Sequence, residues 1–237
     1  MKINLEKKPE KPIIIEGFPG FGLVGTIVTE FLIEHMECEP IGEFVYDDLP
    51  AMAAIHEGEL VKPMAVHYSK KHNIMILHTI LNPKGKEWEI ANAITEMADD
   101  LKAKKIISIE GVASKKALMA KTPDSDAKTT LYYYGDKKLE KQGLKPIEES
   151  IIVGVTSSVM LRAKNPVSIF AETRSAFPDS KSAAKVIEAL DKYLDLKVDY
   201  EPLFKQAEEF EKKLQNMIQH SNKASEESDK KYMSYLG

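Results

Sequence analysis

The sequence predicts an α/β fold built on a mixed sheet flanked by helices, and three observations carry that prediction. Pro12 to Glu16 (Pro-Ile-Ile-Ile-Glu) and Lys105 to Glu110 (Lys-Ile-Ile-Ser-Ile-Glu) are short, nearly continuous apolar runs, the form a strand takes when both of its faces are covered. Directly before the second run, Trp88, Ala91, Ile94, Met97, Ala98 and Leu101 recur at helical spacing, so helix and strand follow one another without a linker. Between the two runs lie short β-branched segments separated by Pro, Gly and Asn, which adds antiparallel strands to the sheet.

In chain order, Met1 to Pro9 reads as a charged leader, followed by the strand at Pro12 to Glu16 and the loop Gly17-Phe18-Pro19-Gly20-Phe21-Gly22. A buried helix over Leu23 to Met36 comes next, with Leu23, Ile27, Phe31 and Leu32 at helical spacing. Ile41 to Tyr46, Ala51 to His56, Met64 to Tyr68 and Ile74 to Ile80 are expected strands, and the helix from about Lys86 to Ala103 leads into the strand at Lys105. Thr129 to Tyr134, Ile151 to Val155 and Val167 to Ala171 read as further strands. A helix over Ser180 to Leu194 has Asp179 or Ser180 placed to cap it after Pro178. Residues 1–196 thus read as one α/β domain and 197–237 as a C-terminal helical extension with a flexible tail.

That extension differs in composition from what precedes it. Leu203, Ala207, Phe210, Leu214 and Met217 step by fours and threes, a heptad seam with charged residues on the other faces. The seam suits either packing back on the domain or pairing with another copy. Gln219 to Lys231 holds almost nothing apolar and cannot bury enough surface to order itself, yet the chain ends Tyr232-Met233-Ser234-Tyr235-Leu236-Gly237. An aromatic tip on a tether suits docking elsewhere or folding back on the domain.

Composition removes several classes. The 237 residues carry 33 Lys plus Arg against 37 Asp plus Glu, a net charge of −4, with no basic stripe for nucleic acid. Cys38 is the single cysteine, which excludes an internal disulfide and a zinc ribbon and suits a reducing cytoplasm. No apolar stretch has the length of a membrane span, so neither membrane nor nucleic acid is an expected partner.

Gly20-Phe21-Gly22-Leu23-Val24-Gly25 satisfies the G-x-G-x-x-G pattern between a predicted strand and helix. It can be a dinucleotide loop, with Glu43 or Asp47 as the ribose acid, or a tight turn whose glycines permit positive φ and close helix packing. Three predicted strands also end alike, at Glu16, Glu110 and Glu172. If those strands are parallel neighbours, the three carboxylates share the carboxyl edge, where His78 and Arg174 can join them as a cation or acid/base site. The other reading is that each Glu accepts hydrogen bonds from loop amides or pairs with Arg174. Sequence motifs for a nucleophilic serine, a zinc protease or a phosphate loop are missing, Ser157 and Ser158 read as a helix N-cap, and Cys38 lacks activating positive neighbours. No catalytic residue, metal or cofactor is therefore expected.

Pro12-Ile13-Ile14-Ile15-Glu16-Gly17-Phe18-Pro19-Gly20-Phe21-Gly22-Leu23-Val24-Gly25, with Glu30-Phe31-Leu32-Ile33, Glu43, Leu49-Pro50-Ala51, Ile109-Glu110-Gly111 and Gly154-Val155-Thr156, resembles the archaeal branch of the proteasome assembly chaperone 2 family over about residues 10–195. The distinctive element is the block containing Gly17, Phe18, Pro19, Gly20, Gly22 and Gly25. The resemblance implies a phosphorylase/hydrolase-like α/β domain without established catalysis that forms homo-oligomers and binds proteasome α-subunits. It further implies that a C-terminal hydrophobic-Tyr-X tip inserts between α-subunits, its carboxylate meeting a lysine. Here the tip is Tyr235-Leu236-Gly237, preceded by Tyr232 and Met233, with tyrosine third from last rather than second.

Overall fold

The computed structural model describes residues 1–47, 49, 53–56, 58–113, 129–173 and 178–201. In chain order these form β1 (Lys2–Leu5), β2 (Ile13–Gly17), α1 (Val24–His35), β3 (Glu39–Val45), β4 (Ala54–His56), β5 (Glu59–Val61), β6 (Met64–Ser69), β7 (Ile74–Thr79) and α2 (Glu87–Asp100). They continue with β8 (Lys105–Ala113), β9 (Leu131–Tyr134), β10 (Lys145–Pro146), α3 (Val155–Arg162), β11 (Pro166–Thr173) and α4 (Ser180–Leu194).

The apolar runs become the middle of the sheet, as two-faced burial requires. Its order is β1-β3-β6-β7-β2-β8-β11-β9-β10, and β4 with β5 makes a separate ribbon. β7, β2, β8 and β11 are parallel, whereas β6 joins β7 and β9 joins β11 antiparallel, so the sheet is mixed. Alternation divides the core into two layers. Ile15, Ile107, Ile109 and Ile169 pack with Val28, Phe31 and Leu32 of α1 and Val186, Ile187 and Leu190 of α4. On the other face Ile14, Leu77 and Ile106 pack with Ile90, Ile94 and Met97 of α2 and Val159 of α3.

Helix α4 spans the stretch its pattern predicts, and the Asp179 carboxylate caps it by accepting from the Ser182 amide at 2.9 Å. Three local readings need correction. The supposed leader contains β1, whose Lys2-Ile3-Asn4-Leu5 alternation turns Ile3 and Leu5 toward the core while β1 pairs with β3. Ile151 to Val155 is not a strand: Ile151 and Val153 are 90% and 70% exposed, and Gly154, at φ 91°, turns the chain directly into α3. Ser157 and Ser158 accordingly lie inside α3, where both hydroxyls donate back to the Gly154 carbonyl rather than capping the helix from outside it. The predicted seam at Leu203, Ala207, Phe210, Leu214 and Met217 and the tip at Tyr232 to Gly237 lie outside the described residues.

At the amino edge, Lys105, Asp136 and Tyr193 tie β8, the turn after β9 and α4 together. The Tyr193 hydroxyl donates to Asp136 Oδ2 at 2.5 Å, and Lys105 Nζ reaches the same oxygen at 3.0 Å. The Tyr193 hydrogen bond, with help from the Lys138 amide and Lys105, holds the Asp136 carboxyl well below its ordinary range. Asp136→Asn is expected to lower stability by about 1–3 kcal/mol at neutral pH. Urea melts should show that deficit shrinking as pH falls below about 3.8, where wild type loses the same contribution.

Candidate functional site

The loop between β2 and α1 is shaped by close approach. A Cβ on Gly17 would fall 2.2 Å from the Gly25 carbonyl oxygen, and one on Gly25 would fall 2.5 Å from the carbonyl oxygen of Ile109. Glycine at both positions is therefore what lets the first turn of α1 rest on β2 and β8. Gly22 holds φ +64° against Thr173, and its carbonyl accepts from the Asp179 amide at 2.9 Å. Phe18 is buried, its ring edge-on to Phe44 at 6.1 Å, while Pro19 lies half-buried beside Gly20.

Gly20 sits against a carboxylate, since a Cβ there would meet Glu110 Oε1 at 2.8 Å. This decides against the dinucleotide reading. A pyrophosphate drawn to the loop would find the Glu110 side chain already against Gly20, and the second glycine of the pattern is spent on Thr173. The structure thus favours the close-packed turn.

The parallel neighbours β2, β8 and β11 bring the three predicted acids to one face and one edge, but stagger them. Glu16 is level with Ser108, Glu110 with Phe170, and Glu172 with Val112, so each acid lies two residues beyond the last. Glu16 is fully buried, and neither of its carboxyl oxygens makes a hydrogen bond of ordinary geometry, although Ser108, Thr156 and the Phe18 amide stand close enough to ease its charge; Glu110 Oε2, Ser108 Oγ and Ser168 Oγ are likewise enclosed without a well-formed bond. Burial pushes Glu16 up to about 8; Ser108 opposes the shift, Glu110 adds to it, and the Phe18 amide and Thr156 hydroxyl oppose it. Burial likewise raises Glu110 to about 7 against the pull of Thr156. Thr156, in the first turn of α3, therefore lies beside both carboxyls.

His78 does not join them. It is level with Gly17 rather than Glu16, so its side chain leaves from the opposite face. There its Nδ1 lies 2.9 Å from Thr29 Oγ1 and its Nε2 3.0 Å from Glu30 Oε2. The Thr29 hydroxyl donates within α1, to the Gly25 carbonyl at 3.0 Å, so this Thr-His-Glu row fastens β7 to α1 and holds no poised nucleophile. His67 stands near His78, its imidazole lowered to about 4 by burial and by the second ring. Arg174 lies outside the described residues. Among the described residues no group of three His, Cys, Asp or Glu side chains is placed to hold a metal ion. Cys38 is half-buried, and burial pushes its thiol up to about 11, away from reactivity.

Sequence reasoning missed Ser108, Ser168 and Thr156. The two serines had a signal, since each interrupts an apolar strand and the registry places them level with one another and with Glu16. Thr156 stands in the Gly154-Val155-Thr156 segment of the family resemblance, but nothing in the sequence links it to Glu16 and Glu110.

Comparison with known proteins places this geometry in context. A family model described as the PAC2 family matches residues 14–218. A protein of Methanocaldococcus jannaschii, described as uncharacterized, is 26% identical over 235 residues, covering 96% of this chain and 94% of that protein. The crystal structure of Pyrococcus furiosus PbaA, described as an archaeal homolog of proteasome-assembly chaperone, superimposes with a TM-score of 0.82 at 30% identity, covering 94% of this chain and 99% of that one. Pyrococcus furiosus PbaB, described as an archaeal proteasome activator, gives a TM-score of 0.68 at 22% identity, covering 91% of this chain and 97% of that one, a likeness of fold.

Proposed function

The chain belongs to the PAC2 family, and from that premise we propose that it is a proteasome-assembly chaperone homologue, a non-enzymatic cytoplasmic protein that forms homo-oligomers and binds proteasome α-subunits. The observation that carries this reading is the likeness to PbaA along nearly the whole of both chains. The glycine loop supports it from the other side: its space is filled by the protein's own carbonyls and carboxylate, which leaves the small-molecule enzyme reading without a cradle. Nothing in the proposal calls for nucleic acid or a membrane; among the described residues no helix is long and apolar enough to cross one.

In this reading residues 1–196 supply the folded body and 197–237 the reach. Tyr232, Met233, Tyr235, Leu236 and Gly237 form the docking tip, and the seam at Leu203, Ala207, Phe210, Leu214 and Met217 packs between copies or against the body. Several tips on one oligomer make each docking after the first intramolecular, which raises avidity by on the order of a hundredfold or more. Deleting Tyr232 to Gly237 is expected to abolish co-sedimentation with proteasome α-subunits and leave oligomer size unchanged by light scattering. Undiminished binding by the truncated protein rejects the tip, and no binding by the full chain rejects the partner.

A further inference from the structure

We propose that Glu16 and Glu110 act as a proton latch: with their protons in place, the Gly17–Gly22 loop and the first turn of α3 stay closed over the carboxyl edge, and loss of those protons opens this cover locally while the opposite layer stays packed. The inference stands apart from the proteasome reading and concerns a device within the fold.

The geometry of the row is its basis. Glu16, Ser108 and Ser168 are level on three adjacent parallel strands and face the same layer, all buried. Their surroundings are apolar, with Ile14, Phe18, Leu77 and Val155 in the same packed layer. Five oxygens of Glu16, Ser108, Ser168 and Glu110 there make no hydrogen bond of ordinary geometry. A protonated carboxyl brings no charge into this layer, whereas an ionised one draws only on the Ser108 and Thr156 hydroxyls and the Phe18 amide, which burial outweighs.

The packed elements offer no compensating cation among the described residues. β7 presents Leu77 level with Glu16, and β11 presents a further acid, Glu172, level with Val112. From α2 the side chains turned inward are Ile90, Ile94 and Met97; its acids Glu87, Glu89, Glu96, Asp99 and Asp100 are exposed or half-buried. On α3 the one charged side chain is Arg162, at the far end and stacked over Trp88 at 5.0 Å. The values of about 8 for Glu16 and about 7 for Glu110 put the loss of protons close to neutrality.

The cover is the part able to respond. Gly20 lies on Glu110, and Thr156 lies beside both acids. Helix α3 has only eight residues, its N-cap Gly154 offers no side chain, and the chain before it carries exposed Ile151 and Val153. Its first turn is held by Val155 and Val159 in the α2 layer and by the Ser157 and Ser158 hydroxyls on the Gly154 carbonyl, with no tie to match the Thr29-His78-Glu30 row that fastens α1 to β7 on the other face, so repulsion between ionised acids is relieved there first.

Amide hydrogen exchange of the full chain by mass spectrometry, at about pH 6 and about pH 9 and corrected for intrinsic rates, tests the latch. Protection of residues 17–23 and 155–158 is expected to fall by about tenfold or more at the higher pH, while the centres of α1 and α4 keep theirs. In a Glu16→Gln, Glu110→Gln double variant the same amides should be equally protected at both pH values. Should that variant not fold, Glu110→Gln alone, which removes the repulsion between the two acids, is expected to shrink the loss of protection at the higher pH. Unchanged protection in wild type, equal loss throughout the chain, or protection restored at the higher pH by magnesium or calcium would each overturn the proposal, the last by revealing a cation site.

Discussion

Glu16→Gln is expected to stabilise the protein at pH 7 by about 3 kcal/mol. Glu16 titrates near 8 in the folded chain against an ordinary value of 4.5, so the folded state holds its proton more tightly than the unfolded state does. The Glu16 contribution to stability is therefore fullest below about 4.5, declines through the interval up to about 8 and is lowest above it. At about 1.4 kcal/mol per unit, the two and a half units between 4.5 and pH 7 give the figure stated. Glutamine keeps the shape and removes the titration. Urea melts at about pH 5, 7 and 9 should bring wild type and variant close together in acid and part them progressively above. A gap between variant and wild type that fails to widen between pH 5 and pH 9 would contradict the burial argument; Glu110 should produce a smaller effect of the same sign.

Gly17→Ala and Gly25→Ala should each lower stability by about 3 kcal/mol or more, enough to leave much of the protein unfolded on expression. The added methyl meets backbone in both cases, the Gly25 carbonyl from Gly17 and the Ile109 carbonyl from Gly25, and backbone cannot rotate aside as a side chain can. The two glycines also face each other across one contact. Once the first turn of α1 has been displaced by one methyl, the second costs little, so the double variant should lose well under the sum. Gly143→Ala is the control: it has positive φ but nothing within 4 Å, and should cost only about 1 kcal/mol of backbone strain. Thermal melts of the soluble fractions distinguish these outcomes.

Elements whose own residues specify them were legible before the structure. Ser180 to Leu194 carries its cap and stripe within itself, and the runs at Ile13 and Lys105 have no face that tolerates water. Ile151 to Val155 misled because its β-branched run is that of a strand, while none of the described residues pairs with it; pairing is decided by distant segments. The carboxyl edge was half legible. Ending three strands in Glu predicted a shared edge, and parallel pairing delivers it. Which acids stand together depended on registry, and one residue of offset between β2 and β7 sends His78 to the other layer. Thr156 became visible only when α3 was folded over the sheet.

The position of β2 also governs how the chain must fold. Ile13 to Gly17 are synthesised early, yet their hydrogen-bonding neighbours are Ile74 to His78 on one side and Lys105 to Ser108 on the other. During translation this apolar strand waits for both edges, and for α1 to be held against a completed β8. Contacts so distant in sequence slow folding and prolong exposure of the strand. A chain halted before Lys105 would present an unfinished edge of isoleucines, so this protein is itself a candidate for chaperone care until nearly half of it has been made.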